Sequence, residues 1–359
     1  TFMMAIDQLS VQQYFAALYA HTDPEHEPAS AGRQMGGHYA TRFLNEDGSW
    51  KAVAQLKNSS SDISPTGGQM PRLLGLAQAS KMYRNVPELK DFTHFSSGGN
   101  EVAFGTIGDA STSEGPFWEA MNAAGVMQVP MVMSVWDDGY GISVPREFQT
   151  STGSISQALS GMQRSDDHKG FEIFESKGWD YAHLCATYEK AVRIAREEHV
   201  PILVHVKEVS QPQGHSTSGS HERYKSSERL NWEIEYDCLL KFREWILNFP
   251  KGEESLATEE ILDEIQAKAK VTVREAKNKA WQLFTEGIKN DTATCLQLMQ
   301  NLASSSTQKA EIEKEITQLS KAFEPVRKDI FSTARRVLRI YASYLSILER
   351  KKKSLNAKG

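Results

Sequence analysis

The sequence has no apolar run approaching the roughly 20 residues that span a bilayer. Its densest apolar stretch, Met131 to Trp136, has the length of a buried strand, so no membrane is expected. Excess positive charge is missing too: 41 Lys and Arg against 46 Asp and Glu leave a net charge of −5. That argues against a nucleic-acid surface. The only basic run, Arg350 to Lys353, reads as a solvated helix end. Cysteine is sparse, and Cys185, Cys238 and Cys295 lie too far apart for a metal knuckle or a disulfide framework. A reducing compartment, cytoplasmic or otherwise intracellular, is the simpler expectation. There is no secretory signal, and Thr1 rather than a Met opens the chain, which we read as a trimmed or processed start. Internal repeats and low-complexity tracts are absent.

What is present suits a globular protein of one large or two smaller domains: 359 residues, 40% hydrophobic and 24% charged. Short apolar runs at Val102 to Ile107, Met131 to Trp136, Phe171 to Phe174 and Ile202 to Val209 read as buried strands. Helical patterns fall between and before them, at Pro71 to Tyr83, Pro116 to Met127 and Tyr181 to Glu198. Strand alternating with helix predicts an α/β domain built on a doubly wound, mostly parallel sheet. After about Leu230 the pattern turns helical, first over Asn231 to Leu247. Thr258 to Gly287, Thr294 to Leu302 and Thr307 to Lys352 follow, with short breaks such as Asn290-Asp291 and Ser304 to Ser306. The expected division is therefore an α/β domain over residues 1–230 and a helical region over 231–359.

The chemistry concentrates in Gly108-Asp109-Ala110, Glu114-Gly115 and Trp136-Asp137-Asp138-Gly139-Tyr140. Asp109 stands just beyond one predicted strand and Asp138 just beyond the next. In a doubly wound sheet the carboxyl ends of the strands border the ligand crevice, so these two carboxylates can converge from distant points in sequence. Ser113 and the turn before Pro116 open a helix whose free amides favour phosphate. Magnesium takes about six hard oxygens and commonly combines one or two carboxylates with phosphate. Asp109, Asp138, a main-chain carbonyl, two diphosphate oxygens and a water would meet that count. Either half of this pattern alone is more often a plain turn.

The run Gly108 to Ser143 resembles the thiamine-diphosphate motif, Gly-Asp-Gly followed about thirty residues later by Asn-Asn. Ser113-Glu114-Gly115, Phe117, Glu119-Ala120, Asn122 and Tyr140-Gly141-Ile142-Ser143 narrow the likeness. They point to alpha subunits of the decarboxylating component of 2-oxoacid dehydrogenase complexes. Three further segments resemble the same family. Gly32-Arg33-Gln34-Met35 with His38-Tyr39 is similar to its substrate-channel motif. Ser64-Pro65-Thr66-Gly67-Gly68-Gln69-Met70-Pro71 is similar to the turn that contacts the aminopyrimidine ring and, in some members, potassium. Gly214-His215-Ser216-Thr217-Ser218 with Arg223-Tyr224 resembles the loop carrying the catalytic histidine.

The resemblance implies the cofactors thiamine diphosphate and magnesium, and in some members potassium. It implies Asp109 and Asp138 as side-chain ligands and Tyr140 as a carbonyl ligand, with Gly108 and Ala110 along the diphosphate. It further implies Ser64 and Thr66 at the aminopyrimidine, Trp136 beside the cofactor, and His215 as catalyst and cofactor contact. A histidine in a Ser- and Gly-rich loop suits proton transfer, since this residue type ordinarily titrates near neutral pH. His221 is read as a loop residue, and His26, His94, His168, His183 and His205 as surface or core residues. His38 is a weaker candidate for the substrate channel.

The implied reaction decarboxylates a 2-oxoacid and passes its acyl group to a lipoyl-bearing acyltransferase partner. A beta subunit, or a fused beta half, would supply the glutamate that activates the aminopyrimidine, in a dimer or heterotetramer. This chain alone is therefore expected to be inactive. The His215 loop leans toward branched-chain acids over pyruvate. Departures from the motif are Ala110 for its last glycine, Asp137-Asp138 for its Asn pair, and Trp136 where branched-chain members place arginine. The family's diphosphate-binding Tyr-Arg pair would fall just before Thr1. Asp138 adds negative charge beside an anionic diphosphate, which disfavours the site unless metal or basic groups compensate. Two alternatives stay open: a transketolase-like enzyme, and a non-catalytic scaffold that kept the fold.

Overall fold

The computed structural model describes residues 2–34, 38–60, 63–215, 220–249 and 256–356, with side chains as far as 346. The chain divides into two compact units, one formed by His38–Ala269 and the other by Thr1–Gly37 with Lys270–Gly359.

The first unit is built on four parallel strands: β1 (Ala103–Gly108), β2 (Met131–Trp136), β5 (Glu172–Lys177) and β6 (Ile202–Lys207), in the order β1-β2-β6-β5. Between them in sequence lies a small antiparallel hairpin, β3 (Tyr140–Gly141) with β4 (Val144–Pro145). Alternation along the strands sorts the core into two layers. Met131, Met133 and Val135 of β2 and Leu203 of β6 face the helices Met70–Asn85 and Gly115–Met127 and the Ile155–Leu159 segment. Val132, Ile202, Val204 and Val206 face the helix Tyr181–Glu198 through Ala191, Ile194 and Ala195. Both faces of the sheet are therefore covered, as a parallel sheet requires. Gly105 lets the first layer close, because a Cβ there would stand 2.5 Å from Leu73 Cδ2.

The expected α/β architecture is present, and β2 and the helix Tyr181–Glu198 carry the bounds that the pattern predicts. The third strand differs: Phe171 to Phe174 was expected, whereas β5 runs Glu172–Lys177. It pairs with β6 from Glu172↔Ile202 to Lys177↔Lys207. As an edge strand it accepts polar residues that an apolar pattern overlooks.

Three differences fall in the helical part. Asn231 to Leu247 is not one helix but two, Ser227–Glu235 and Cys238–Asn248. Asp237 separates them, its carboxylate accepting the N–H groups of Leu239 and Leu240, both at 3.0 Å. The expected break at Asn290-Asp291 is absent, since one helix runs Glu259–Ser305; Thr292 returns its hydroxyl to the Ile288 carbonyl at 2.7 Å inside it. Thr307 to Lys352 resolves into Lys309–Ser320 and Arg327–Asn356, parted around Pro325, where Glu324 has a φ of 45°.

In the second unit the helix Val11–Leu18 starts on a capping box between Ser10 and Gln13. Tyr19 just beyond it meets Trp281 edge-on and Phe284 at a tilt, with ring centroids at 5.1 and 6.0 Å. These contacts are why the N-terminal segment belongs with the distant helices rather than with the sheet. Ile312, Leu319 and Val337 pack with Met299 and Ala303, whereas Phe323, Leu338 and Leu345 are exposed. Among the described residues no helix is long and apolar enough to cross a membrane.

Candidate active site

The site grows from the carboxyl ends of β1 and β2. Gly108 ends β1, Asp109 follows it, and Asp109 N–H donates to the Trp136 carbonyl at 3.1 Å, tying the two strand ends together. Ala110 opens a short 3-10 turn, Ala110–Ser113, that leads into the helix Gly115–Met127. At the end of β2, Asp137 and Asp138 are followed by Gly139 with a φ of +82°, and the chain turns sharply into the hairpin. Asp137 Oδ1 accepts Gly139 N–H at 2.8 Å and Asp138 Oδ1 accepts Tyr140 N–H at 3.1 Å. These two Asx-type bonds shape the turn.

Asp109, Asp137 and Asp138 are 6%, 2% and 5% exposed. Three buried carboxylates this close are costly unless they are protonated, paired or bound to a cation. Asp109 is pushed up to about 7, by burial first and then by the charges of Asp137 and Asp138 and a hydrogen bond to the Asp137 carboxyl. The N–H of Ala110 partly offsets this. Burial also raises Asp138, and the Asp137 charge adds to it, against the Tyr140 N–H and the charges of His215 and Lys225. Asp137 differs. Burial opposes its ionisation as well, but the hydrogen bond and charge of His205, then Arg146 and the Gly139 N–H, outweigh it and hold its carboxyl below the usual range.

Among the described residues, Asp109 Oδ2 and Asp138 Oδ2 are buried without a hydrogen-bond partner. His215 Nε2 lies 3.2 Å from Asp138 Oδ2, within ion-pair reach though not aligned as a hydrogen bond. Two orphaned hard oxygens in a buried, anionic turn fit a divalent cation. Among the described residues no three His, Cys, Asp or Glu side chains form a self-sufficient metal cluster. A cation here would complete its shell with main-chain, phosphate or water oxygens, which suits magnesium.

The other expected residues lie around this turn. Tyr140 begins β3. Its ring sits 5.7 Å from that of Tyr224 and beneath the cations of Lys225 and Arg229, at 5.1 and 5.6 Å. Trp136 ends β2 half exposed, its indole N–H donating to Ser134 Oγ at 3.0 Å. Ser64 Oγ is 3.2 Å from His38 Nε2. The Ser64 to Gly67 turn, with Thr66 in it, abuts the site helix, because a Cβ on Gly67 would stand 2.9 Å from Glu114 Cβ. Gly32, Arg33 and Gln34 belong to the other compact unit. Met35 and the loop residues Ser216, Thr217 and Ser218 lie outside the described residues.

Several residues at the site carried no signal in the sequence. Arg229 Nη2 donates to the Asp138 carbonyl at 2.7 Å, and its Nε pairs with buried Glu233 at 2.8 Å. Lys225 Nζ reaches both Glu233 oxygens, at 2.7 and 2.8 Å. The Lys225 charge also favours the ionised form of Asp138. The i,i+4 spacing of Arg229 and Glu233 was visible, but it reads equally well as an exposed helical pair. His205, read as a surface or core residue, is fully buried and donates to Asp137 at 2.9 Å.

The dehydrogenase E1 component family matches residues 29–288, a span that holds every residue described at this site. The chain is 27% identical over 212 residues to the pyruvate dehydrogenase E1 component subunit alpha of Rickettsia bellii, covering 58% of this chain and 56% of that protein. It is 27% identical over 257 residues to the 2-oxoisovalerate dehydrogenase subunit alpha of Bacillus subtilis, covering 70% of this chain and 66% of that protein. Over 258 residues it is 27% identical to the mitochondrial 2-oxoisovalerate dehydrogenase subunit alpha of Dictyostelium discoideum, covering 72% and 50% of the two chains. The chain thus spans half to two thirds of the length of these relatives. The match does not favour a transketolase-like reading. This chain belongs to the dehydrogenase E1 component family.

Proposed function

We propose that this chain is the diphosphate- and magnesium-binding half of a thiamine-diphosphate-dependent 2-oxoacid dehydrogenase that passes its acyl product to a lipoyl carrier. The observation that carries the reading is the pair of buried oxygens, Asp109 Oδ2 and Asp138 Oδ2, that have no hydrogen-bond partner among the described residues and lie beyond adjacent parallel strands. Asp109 and Asp138 would hold the cation with the Tyr140 carbonyl, and the phosphates would complete its shell. Gly108 and Ala110 would border the diphosphate beside the N-terminus of the helix Gly115–Met127, where backbone N–H groups favour anions. Ser64 and Thr66, in the turn against Glu114, would meet the rest of the cofactor, and Trp136 would flank it.

Bound thiamine diphosphate supplies the electron sink that decarboxylation needs. The protein's own part is to hold charge and move a proton. His215 Nε2, at 3.2 Å from Asp138 Oδ2, faces the region where the cation and diphosphate would meet. Its exposed loop setting leaves it free to exchange a proton with substrate. The names of the relatives, pyruvate and 2-oxoisovalerate dehydrogenase alpha subunits, support a 2-oxoacid substrate and a beta-type partner carrying the second half of the site. A lipoyl-bearing acyltransferase would accept the product.

The test is calorimetric titration of thiamine diphosphate into the chain assembled with its partner half, with and without magnesium. Magnesium-dependent binding is expected. Assembled enzyme that binds no cofactor would instead support the non-catalytic scaffold.

A further inference from the structure

Asp137 immediately precedes the candidate ligand Asp138, and the metal reading gives it no task. All its polar groups are nevertheless engaged. Its N–H donates to the Val206 carbonyl at 2.8 Å, and its own carbonyl accepts the Val209 N–H at 3.0 Å. Oδ1 accepts from Gly139 N–H at 2.8 Å, and Oδ2 from His205 Nε2 at 2.9 Å and Arg146 Nη1 at 3.2 Å. The chain of contacts continues past His205. Its Nδ1 meets Ser156 Oγ at 2.9 Å, the Ser156 hydroxyl donates to Glu175, and Glu175 Oε2 accepts from Lys207 Nζ at 2.7 Å. A carboxylate only accepts, so His205 donates to Asp137 through Nε2. The end of β2 is thereby tied to β5, to β6 and to the Ile155–Ala158 helix.

We propose that Asp137 is a positioning residue for the metal turn, its carboxylate taken up by His205, Arg146 and Gly139 so that Asp138 alone of the pair offers an open oxygen. The inference rests on the proposed magnesium site. Its content is that the two aspartates of the motif, adjacent in sequence, do opposite things. Charge on Asp138 faces the diphosphate, whereas charge on Asp137 is spent on a buried histidine and a half-exposed arginine. His205 and Arg146 therefore act on the metal through Asp137, as outer partners of ligands do in metal sites generally.

The two roles make opposite predictions for the same chemical change. Asp138→Asn removes charge beside the diphosphate and keeps or tightens binding of Mn²⁺ with thiamine diphosphate, used as a paramagnetic probe. Asp137→Asn also removes a charge, yet weakens that binding by about tenfold, the lower end for losing an outer partner. His205→Leu, in the chain assembled with its partner half, weakens it similarly. His205→Gln, which keeps one donor, restores it to within about threefold.

In the metal-free chain, amide hydrogen exchange at Gly139 and Tyr140 speeds up by about tenfold in His205→Leu and returns toward wild type in His205→Gln. Two outcomes overturn the inference: unchanged exchange in His205→Leu, or Asp137→Asn and His205→Leu variants that melt earlier yet bind Mn²⁺ as wild type does. Wild-type protein that binds no Mn²⁺ with the cofactor would count against the proposed function, and the exchange measurement would still decide the role of Asp137.

Discussion

Asp109 carries an electrostatic cost in the metal-free chain. Burial and two neighbouring aspartates push it up to about 7, whereas an unfolded aspartate sits at about 3.9. A folded value above the unfolded one contributes stability that is fully present below the unfolded value. That contribution is lost as pH rises through the folded value. In the metal-free chain, Asp109→Asn should therefore raise the melting temperature at pH 8 by about 2–4 °C, the shift expected for roughly 1 kcal/mol in a unit the size of His38–Ala269. The gain should shrink toward pH 5, where Asp109 is protonated; a gain that grew as pH fell would contradict this account of the cluster.

His215→Ala should leave the melting temperature nearly unchanged, because the ring is about one third exposed and its one ion pair among the described residues is with Asp138. Turnover of the assembled enzyme should fall by roughly 100-fold or more, the usual scale for a lost general acid or base. Normal turnover would remove His215 from the chemistry. Much of this residue-level picture was legible in sequence. Asp109, Asp138, Tyr140 and His215 were all named there, and the fold gathers them at one turn. His205 was read only as a surface or core residue, since the parallel register that sets Val135 beside His205 is what brings it under Asp137, and no local pattern encodes a pairing 68 residues apart.

Among the elements, those with internal periodicity were the readable ones. The helix Tyr181–Glu198 and strand β2 follow from their own apolar spacing. The polar second half of edge strand β5, the Asp237 cap and the unbroken helix at Asn290-Asp291 depend on a neighbour or on a single side chain, and the pattern missed all three. The hairpin of β3 and β4 shows how one element constrains another. A Cβ on Gly141 would stand 2.8 Å from the methyl of Ala110, and 2.9 Å from the Gln149 amide. Ala110 and Gly141 thus divide one small space between the turn after β1 and the hairpin after β2. Gly141→Ala should destabilise the chain by about 1–3 kcal/mol through overpacking, measured by urea unfolding. Adding Ala110→Gly, which restores the motif's glycine, should recover part of that loss. Purely additive losses in the double variant would mean that the two residues do not share the space.

At the scale of the whole molecule, the described residues form one four-stranded parallel sheet and the small β3–β4 hairpin, and every described element after Ala269 is a helix. The proposed site draws its metal ligands and His215 from the His38–Ala269 unit, while the aminopyrimidine-activating glutamate is assigned to a partner half. Purified alone, the chain should decarboxylate no 2-oxoacid, and activity should appear when that half is supplied. Within the proposed site, Asp109 and Asp138 would hold one divalent cation against a diphosphate. This is tested most directly by calorimetric titration of thiamine diphosphate, with and without magnesium, into assembled wild-type, Asp109→Ala and Asp138→Asn protein. The account predicts magnesium-dependent binding in wild type, its loss in Asp109→Ala, and equal or tighter binding in Asp138→Asn. Loss of binding in Asp138→Asn as complete as in Asp109→Ala, or binding that ignores magnesium, would contradict it.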